Sequence, residues 1–431
     1  MKNHYVYLFF FILFIIFLLN NLFNRDDNRK LMITYYQDNL DFPGLEDVPE
    51  YSDFSLLPHH AEHELWIKEK ITREDYGKFN LYLLSAYEYP DQIALHITSQ
   101  NGFGKTVYCR YFDKNRMEIG VPFETKIFPE TVAYCSRRKN TKFVSISEKM
   151  SDEPQPPIRL FDRTMKTHHH NLTVCMAPLY GDEPKWLQIA EFMEHYKLQG
   201  ATMVYIWVAK IDEYSRRILE EYVRRGEAEV IWMYEQYATN DFYWHMVEIH
   251  GCMLHSKRVS KWTAVVDLDE RLITFGTRLI DYLSNTENKD PQVATVIFRQ
   301  QWIMKLELLP PKYINESETI SHMPTQRWHN SSVIGPSGHT VKCIVQMDKV
   351  GALFIHYVRR YYEPAKTYEL KPSEGIVKHY RDLFIDGWGK SWLKEIEKMG
   401  PFSNTSLDAN YSKILVENTV KRVKFVYGQI A

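Results

Sequence analysis

The stretch KWTAVVDLDE, residues 261–270, decides how this chain is read. Trp262 to Val266 is an unbroken run of apolar and β-branched residues, the pattern of a strand buried on both faces. It stops abruptly at Asp267, Leu268, Asp269 and Glu270. On an extended chain residues two apart face the same way, with Cα atoms about 6.6 Å apart, so Asp267 and Asp269 are expected to aim at one cation while Leu268 turns to the core. Uncompensated like charges cost several kcal/mol in a low dielectric, so acids at a strand end need a partner. Carboxylate oxygens suit Mg²⁺ or Mn²⁺, which keep positions open for phosphate oxygens. The alternative is a solvated loop neutralised by Arg258, Lys261 or Arg271. The D-x-D spacing alone arises easily among 55 acidic residues. Position gives it weight, because ligands collect at the carboxyl ends of parallel strands.

Upstream, strand and helix patterns alternate, the signature of βαβ units and a mostly parallel sheet. Strands are expected at Leu172–Pro178, Met203–Val208 and Val230–Tyr234. After Pro184, the residues Trp186, Ile189, Ala190, Met193 and Tyr196 recur at helical spacing until Gly200 can end the helix. Further helices are read at Ser215–Arg225 and Phe242–His255. The α/β domain is placed at 166–431, with a small β-rich domain at 76–165. That domain has strands at Leu81–Tyr87, Gln92–Thr98, Thr106–Phe112 and Phe143–Ile146, separated by turn signals. Pro154, Pro156 and Pro157 mark the linker between the two. His168, His169 and His170 follow it and are read as solvated, since three neighbours in sequence cannot all face one ion.

A chain of 431 residues with 45% hydrophobic and 25% charged residues can bury two folded units. With 53 basic and 55 acidic residues it offers no field for nucleic acid, so no such partner is expected. Residues 5–23 are apolar but for Asn20 and Asn21 and, as a helix, span roughly 28 Å, enough to cross a bilayer. Small residues for signal cleavage are missing after it, so an uncleaved anchor is expected, with 1–4 as the tail and 24–75 as a polar stem. Arg25, Arg29 and Lys30 outweigh Lys2 and do not favour an inward N-terminus. The acceptor sequons at Asn171, Asn315, Asn330, Asn404 and Asn410 nevertheless point to a lumenal body. Five cysteines without metal-knuckle spacing leave either a Cys109–Cys135 disulfide or five free thiols.

Cys175–Tyr180, Trp186–Gly200, Lys261–Glu270 and Lys342–Val345 together resemble glycosyltransferase family 92. The pattern combines E-x-x-x-H-Y-x-x-x-G (Glu191, His195, Tyr196, Gly200), K-W-x-x-x-x-D-x-D-E, a late K-C-I-V and H-Y-R-D at His379 to Asp382. It covers most of Leu172 to Asp382. The resemblance implies a GT-A fold, in which a mostly parallel sheet is flanked by helices. It also implies a divalent metal and a single-pass type II protein of the Golgi membrane with its catalytic domain in the lumen. The activity implied is inverting transfer of a sugar, typically galactose from UDP-galactose, onto a glycan acceptor.

By that likeness the metal ligands are Asp267 and Asp269, joined by His356 after the apolar run Leu353–Ile355, with His379 as its competitor. Tyr180 and Asp182 are expected at the donor, Tyr180 stacking on a uracil or else packing as a core aromatic. Inversion needs a base for the acceptor hydroxyl. Asp382 and Asp386 are the candidates, with ion pairs to Arg381 or Lys390 as the plainer role. Trp302, Trp328 and Trp388 offer sugar-stacking faces or core packing. The alternative function is a catalytically inactive, membrane-tethered glycan-binding protein of the same fold. A metal-dependent phosphohydrolase is disfavoured, because the extra His and Asp clusters of a two-metal site are missing.

Overall fold

A computed structural model describes residues 59–70, 81–99, 102–233, 241–362, 364–383 and 386–428. The expected tail and anchor, residues 1–23, and most of the stem lie outside these. Among the described residues no helix is long and apolar enough to cross a membrane. One piece of the stem range is built into the body. Helix α1 (His60–Lys70) packs Trp66 and Ile67 against Phe128 and Ala352, and His63 Nε2 lies 2.9 Å from the Tyr362 hydroxyl. His63, Trp66 and Ile67 form a single i, i+3, i+4 stripe, too short to show in a polar segment.

The β-rich part has eight strands: β1 (Leu81–Glu88), β2 (Ile93–Ser99), β3 (Thr106–Phe112), β4 (Phe123–Lys126), β5 (Val132–Cys135), β6 (Phe143–Ser147), β7 (Ile158–Arg159) and β8 (Phe161–Asp162). They make two four-stranded sheets, ordered β5-β2-β1-β8 and β4-β3-β6-β7. Leu83, Ile93, Leu95 and Ile97 from one meet Val107, Tyr111 and Ile146 from the other in a shared core. The Cys109–Cys135 disulfide joins β3 to β5 across that core.

The larger part contains β9 (His170–Leu179), α2 (Trp186–Leu198), β10 (Met203–Val208), α3 (Glu213–Arg224), β11 (Ala228–Trp232), α4 (Asp241–Ser256), β12 (Ser260–Val266) and β13 (Glu270–Thr274). It continues through α5 (Leu279–Lys289), β14 (Val293–Phe298), β15 (Gln300–Lys305), α6 (Glu316–His322), α7 (Pro324–Arg327), β16 (Asn330–Ser331), β17 (Lys342–Val345), β18 (Val350–Leu353) and β19 (Val358–Tyr361). β20 (Lys366–Glu369), β21 (Gly375–Asp382), α8 (Asp386–Glu397), β22 (Ser403–Asn404) and α9 (Ala409–Tyr427) complete it. Seven strands form the main sheet in the order β11-β10-β9-β12-β17-β14-β20. β11, β10, β9 and β12 run parallel, as do β14 and β20, while β17 is antiparallel to both its neighbours. The central strands are buried throughout their apolar runs, as a sheet covered on both faces requires.

Local chemistry explains the helix ends. Asp212 caps α3 by accepting from the Ser215 amide, and α2 ends where Gly200 takes φ +96, its position closed against Ile280 so that a Cβ would collide. Helix α4 lies between the β-rich part and the main sheet. Its Val247, Ile249 and Met253 share a core with Tyr87 and Tyr89 on one side and Tyr205 and Trp207 on the other, and Cys252 is disulfide-bonded to Cys175 of β9. Of the two cysteine readings, pairing is the one found, with Cys343 left as a buried thiol.

A second sheet, β13-β21-β15-β16-β22, stands beside the first. The chain passes from the main sheet into it three times, from β12 to β13 through Asp267–Asp269, from β14 to β15 through Arg299, and from β20 to β21 through residues 370–374. The acidic cluster therefore sits on a seam between sheets.

Candidate functional site at the seam between sheets

The cluster is a turn, not the extended strand end expected from spacing. The Glu270 amide donates to the Asp267 carbonyl at 3.1 Å, because Glu270 already belongs to the second sheet and the chain must bend to reach it. Glu270 folds its carboxylate back to accept from the Asp267 amide at 2.8 Å. Leu268 is partly buried against the main core, as its alternation predicts.

None of the three expected cations pairs with a carboxylate of the turn. Lys261 pairs with Glu287, Arg258 turns to Asp348, and Arg271 reaches Glu191. Lys342 does so instead, with Nζ 3.0 Å from Asp267 Oδ2 and 3.1 Å from Glu270 Oε2. It stands there because β17 pairs antiparallel with β12, Cys343 against Val265. On the other side His379 Nε2 lies 3.0 Å from Asp269 Oδ2 and Nδ1 lies 3.2 Å from Glu270 Oε1. His379 is the register partner of Glu270 and also contacts Gln300, and its ring stacks on Trp302 at 4.6 Å. Tyr380 donates its amide to the Asp269 carbonyl at 2.8 Å.

Helix α2 braces the turn from beneath. The Tyr196 hydroxyl donates to the Glu270 carbonyl at 3.1 Å, and His195 Nε2 donates to the Leu272 carbonyl at 3.0 Å. Arg271, fully buried, donates to the carbonyls of Leu268 and Glu270 and is held by Glu191. The E-x-x-x-H-Y, K-W-x-x-x-x-D-x-D-E, K-C-I-V and H-Y-R-D patterns thus converge on one four-residue corner.

Burial pushes the Asp267 carboxyl up, but Lys342, with help from His245 and His379, more than offsets this and holds it below the usual carboxylate range. Asp269 is likewise lowered, burial being outweighed by His379. Glu270, with burial and the Asp267 charge against it, rises to about 7. Burial lowers His356 to about 4, with Lys342 adding to the effect. Its Nδ1 donates to the Val341 carbonyl at 2.9 Å, which leaves the lone pair on Nε2. Asp267 Oδ1 is buried and has no hydrogen-bond partner among the described residues. No three His, Cys, Asp or Glu side chains among the described residues are yet gathered as an ion would hold them.

The other sequence candidates lie further out. Tyr180 is 64% exposed and so not a core aromatic; it follows β9 at the sheet edge where β12 also ends, since Met176 pairs with Val266. Asp182, on the same loop, forms an exposed ion pair with Lys210 at 2.7 Å. Asp382 ends β21 and pairs with Lys305 at 2.9 Å. The side chains of Asp386 and Trp388 lie outside the described ones. Trp302 and Trp328 are buried, so core packing is their role here. His168 bonds to Asp348 and His170 to Thr202, in different directions. Nothing local in the K-C-I-V pattern marks Lys342 as the partner of Asp267, and the i, i+3 spacing of His245 and the buried Glu248 on apolar α4 is the one sequence signal that they face the same way.

The model of glycosyltransferase family 92 matches residues 170–415, more than half of the chain, from β9 into α9. No curated protein matches. Among solved structures, a putative glucose-1-phosphate thymidylyltransferase from Bacillus anthracis in complex with a sucrose is similar over 48% of this chain and 89% of that one, at 10% identity and a TM-score of 0.27. Residues 1–349 of S. aureus TarS are similar over 60% of this chain and 73% of that one, at 10% identity and a TM-score of 0.26. The family motifs that gather at the Asp267–Glu270 turn and the span of the family match agree: the chain belongs to glycosyltransferase family 92.

Proposed function

We propose that this chain is a metal-dependent inverting glycosyltransferase of GT-A type that moves galactose from UDP-galactose onto a glycan acceptor. The observation that carries the reading is the Asp267–Glu270 turn, where a buried carboxylate oxygen lacks a partner at the carboxyl end of a central strand. The residues there fit a hard dication: Asp267 offers that oxygen, Asp269 lies across the turn, and His356 presents a neutral ring nitrogen close enough for the Asp267 charge to act on it. Bound there, Mn²⁺ or Mg²⁺ would supply Lewis-acid neutralisation of the departing diphosphate.

The chain's own residues do the rest. Lys342 fixes Asp267, and in this reading His379 serves as a positioning residue that orients Asp269 through the 3.0 Å contact, with His356 as the histidine ligand. Tyr180, exposed at the sheet edge, stacks on the uracil, and Asp182 on the same loop contacts the donor. Asp382 takes the proton from the acceptor hydroxyl as its oxygen bonds to the sugar C1. The C1–O bond to the diphosphate breaks, and its electron pair leaves with UDP.

Two disulfides favour an oxidising lumen, and the sequon asparagines Asn171, Asn315, Asn330, Asn404 and Asn410 are all exposed, which supports a Golgi lumenal domain held by the residue 5–23 anchor. A screen of nucleotide sugars with and without Mn²⁺ is the test. UDP release from UDP-galactose that requires both Mn²⁺ and a glycan acceptor is the expected result. Glycan binding without any metal-dependent turnover would replace this reading with that of an inactive glycan-binding protein.

A further inference from the structure

Helix α4 runs past the turn and points two side chains at it. Glu248 is fully buried, and both of its carboxylate oxygens lack a hydrogen-bond partner among the described residues. His245, one helical turn earlier, places Nε2 3.9 Å from Glu248 Oε2 and 3.9 Å from Asp267 Oδ1, the turn's own unpartnered oxygen. Lys342 occupies Asp267 Oδ2, so it satisfies neither orphan. Three buried carboxylate oxygens without partners carry a desolvation cost that no hydrogen bond offsets. Side chains of this kind persist where something else completes them.

We propose that His245 and Glu248 are ligands of the divalent cation, forming with Asp267 a wall of the site supplied by α4. The separations suit this. At 3.9 Å they are too long for hydrogen bonds, yet two ligands of one ion at roughly 2.1 Å each span up to about 4.2 Å. An ion between them would give Asp267 Oδ1 and one Glu248 oxygen a shared partner. Glu248 forms the closed floor, while Asp267 and His245, 30% and 25% exposed, leave the entrance open to solvent and to a diphosphate. The Cys175–Cys252 disulfide fixes α4 against β9, beside β12, and so holds this wall in register with the turn.

The inference rests on the metal-dependent reading and deepens it. The test is Mn²⁺ binding to the whole chain in the presence of UDP, read from the electron paramagnetic resonance signal of free Mn²⁺. Glu248→Gln and His245→Gln are each expected to weaken Mn²⁺ binding by ~10-fold or more while the thermal midpoint without metal stays near that of the unaltered protein. If Asp267→Asn loses Mn²⁺ while both α4 variants bind it as the unaltered chain does, the α4 ligands are wrong and the metal-dependent reading stands. If the unaltered chain takes up no Mn²⁺, both fall. Should Glu248→Gln fail to fold, His245→Gln alone decides.

Discussion

The ammonium of Lys342 meets the carboxylate of Asp267 at 3.0 Å although 75 residues of chain separate them. The pair is buried on the lysine side, 3% exposed, and the same Nζ also serves Glu270. Removing the lysine leaves two acids facing each other with no cation between. Lys342→Met should therefore cost about 3–5 kcal/mol in chemical denaturation, the usual scale for breaking one side of a buried pair. Adding Asp267→Asn to that variant should recover part of the loss. Equal denaturation midpoints for Lys342→Met and the unaltered protein would show that the pair contributes nothing.

Asp269 differs from Asp267 in having only His379 and the nearby charge of Arg381 set against its burial. Asp269→Asn keeps the shape of the side chain and an oxygen for the His379 N–H, so the fold should tolerate it, with a thermal midpoint close to that of the unaltered protein. Turnover of UDP-galactose should fall by at least about 10²-fold, the scale seen when one electrostatic stabiliser of the leaving charge is lost. Unchanged turnover would remove Asp269 from the reaction.

What the sequence made legible follows from range. β3 and β10 are found residue for residue where alternation and apolar runs place them, and α2 fills its expected span, because those signals are local. The two-residue strands β7 and β8 are too short to carry a period. The bend at Asp267–Glu270 was illegible because it arises from a change of sheet. Lys342 was illegible as the partner because strand order, not proximity in sequence, brings β17 beside β12. His245 and Glu248 sit in a helix whose apolar pattern reads as core, and only the turn's unpartnered oxygen gives them meaning.

The Cys175–Cys252 disulfide closes a 77-residue separation and ties α4 to the central strand. A link of that span is worth about 4 kcal/mol in the chain-entropy account. Thermal unfolding of Cys252→Ala should show a loss of that order, and unfolding in a strong reductant, which opens both disulfides, a larger one. Cys109–Cys135, with a separation of 26, should matter somewhat less. Identical melting with and without reductant would mean that α4 is held by packing alone.

Stability should fall on mild acidification, and His96 is the clearest cause. Burial, aided by the nearby His250, lowers its titration to about 3, so in the folded chain it stays neutral, with Nε2 donating to the Val247 carbonyl at 2.9 Å. The unfolded chain protonates the same ring near 6.5. Between pH 6.5 and 3 the unfolded state therefore binds more protons, and stability present above 6.5 is lost as pH falls, by about 1.4 kcal/mol per unit for this one group. Glu270, raised to about 7, acts in the opposite direction between about 4.5 and 7, because there the folded state holds the proton. Comparing variants isolates the histidine: His96→Gln should show a shallower loss of stability across this range. Parallel curves would show that His96 titrates normally.

Asp382 can be a base for the acceptor or merely the partner of Lys305, and the two roles separate in a matched pair of variants. Both residues are largely buried at the end of β21 and β15, so breaking the 2.9 Å contact from either side removes the same ion pair. If the pair is only structural, Asp382→Asn and Lys305→Met should lower stability and turnover together. If Asp382 removes the acceptor proton, Asp382→Asn should lose about 10²–10⁴-fold in kcat with little change in KM for the donor. Lys305→Met should then keep much more of its activity at a similar melting temperature. The proton-transfer role also predicts that Asp382→Asn still binds UDP and Mn²⁺, since neither contact runs through this carboxylate. Equal kinetic losses in the two variants would return Asp382 to the ion pair and move the search for the base to Asp386 on α8.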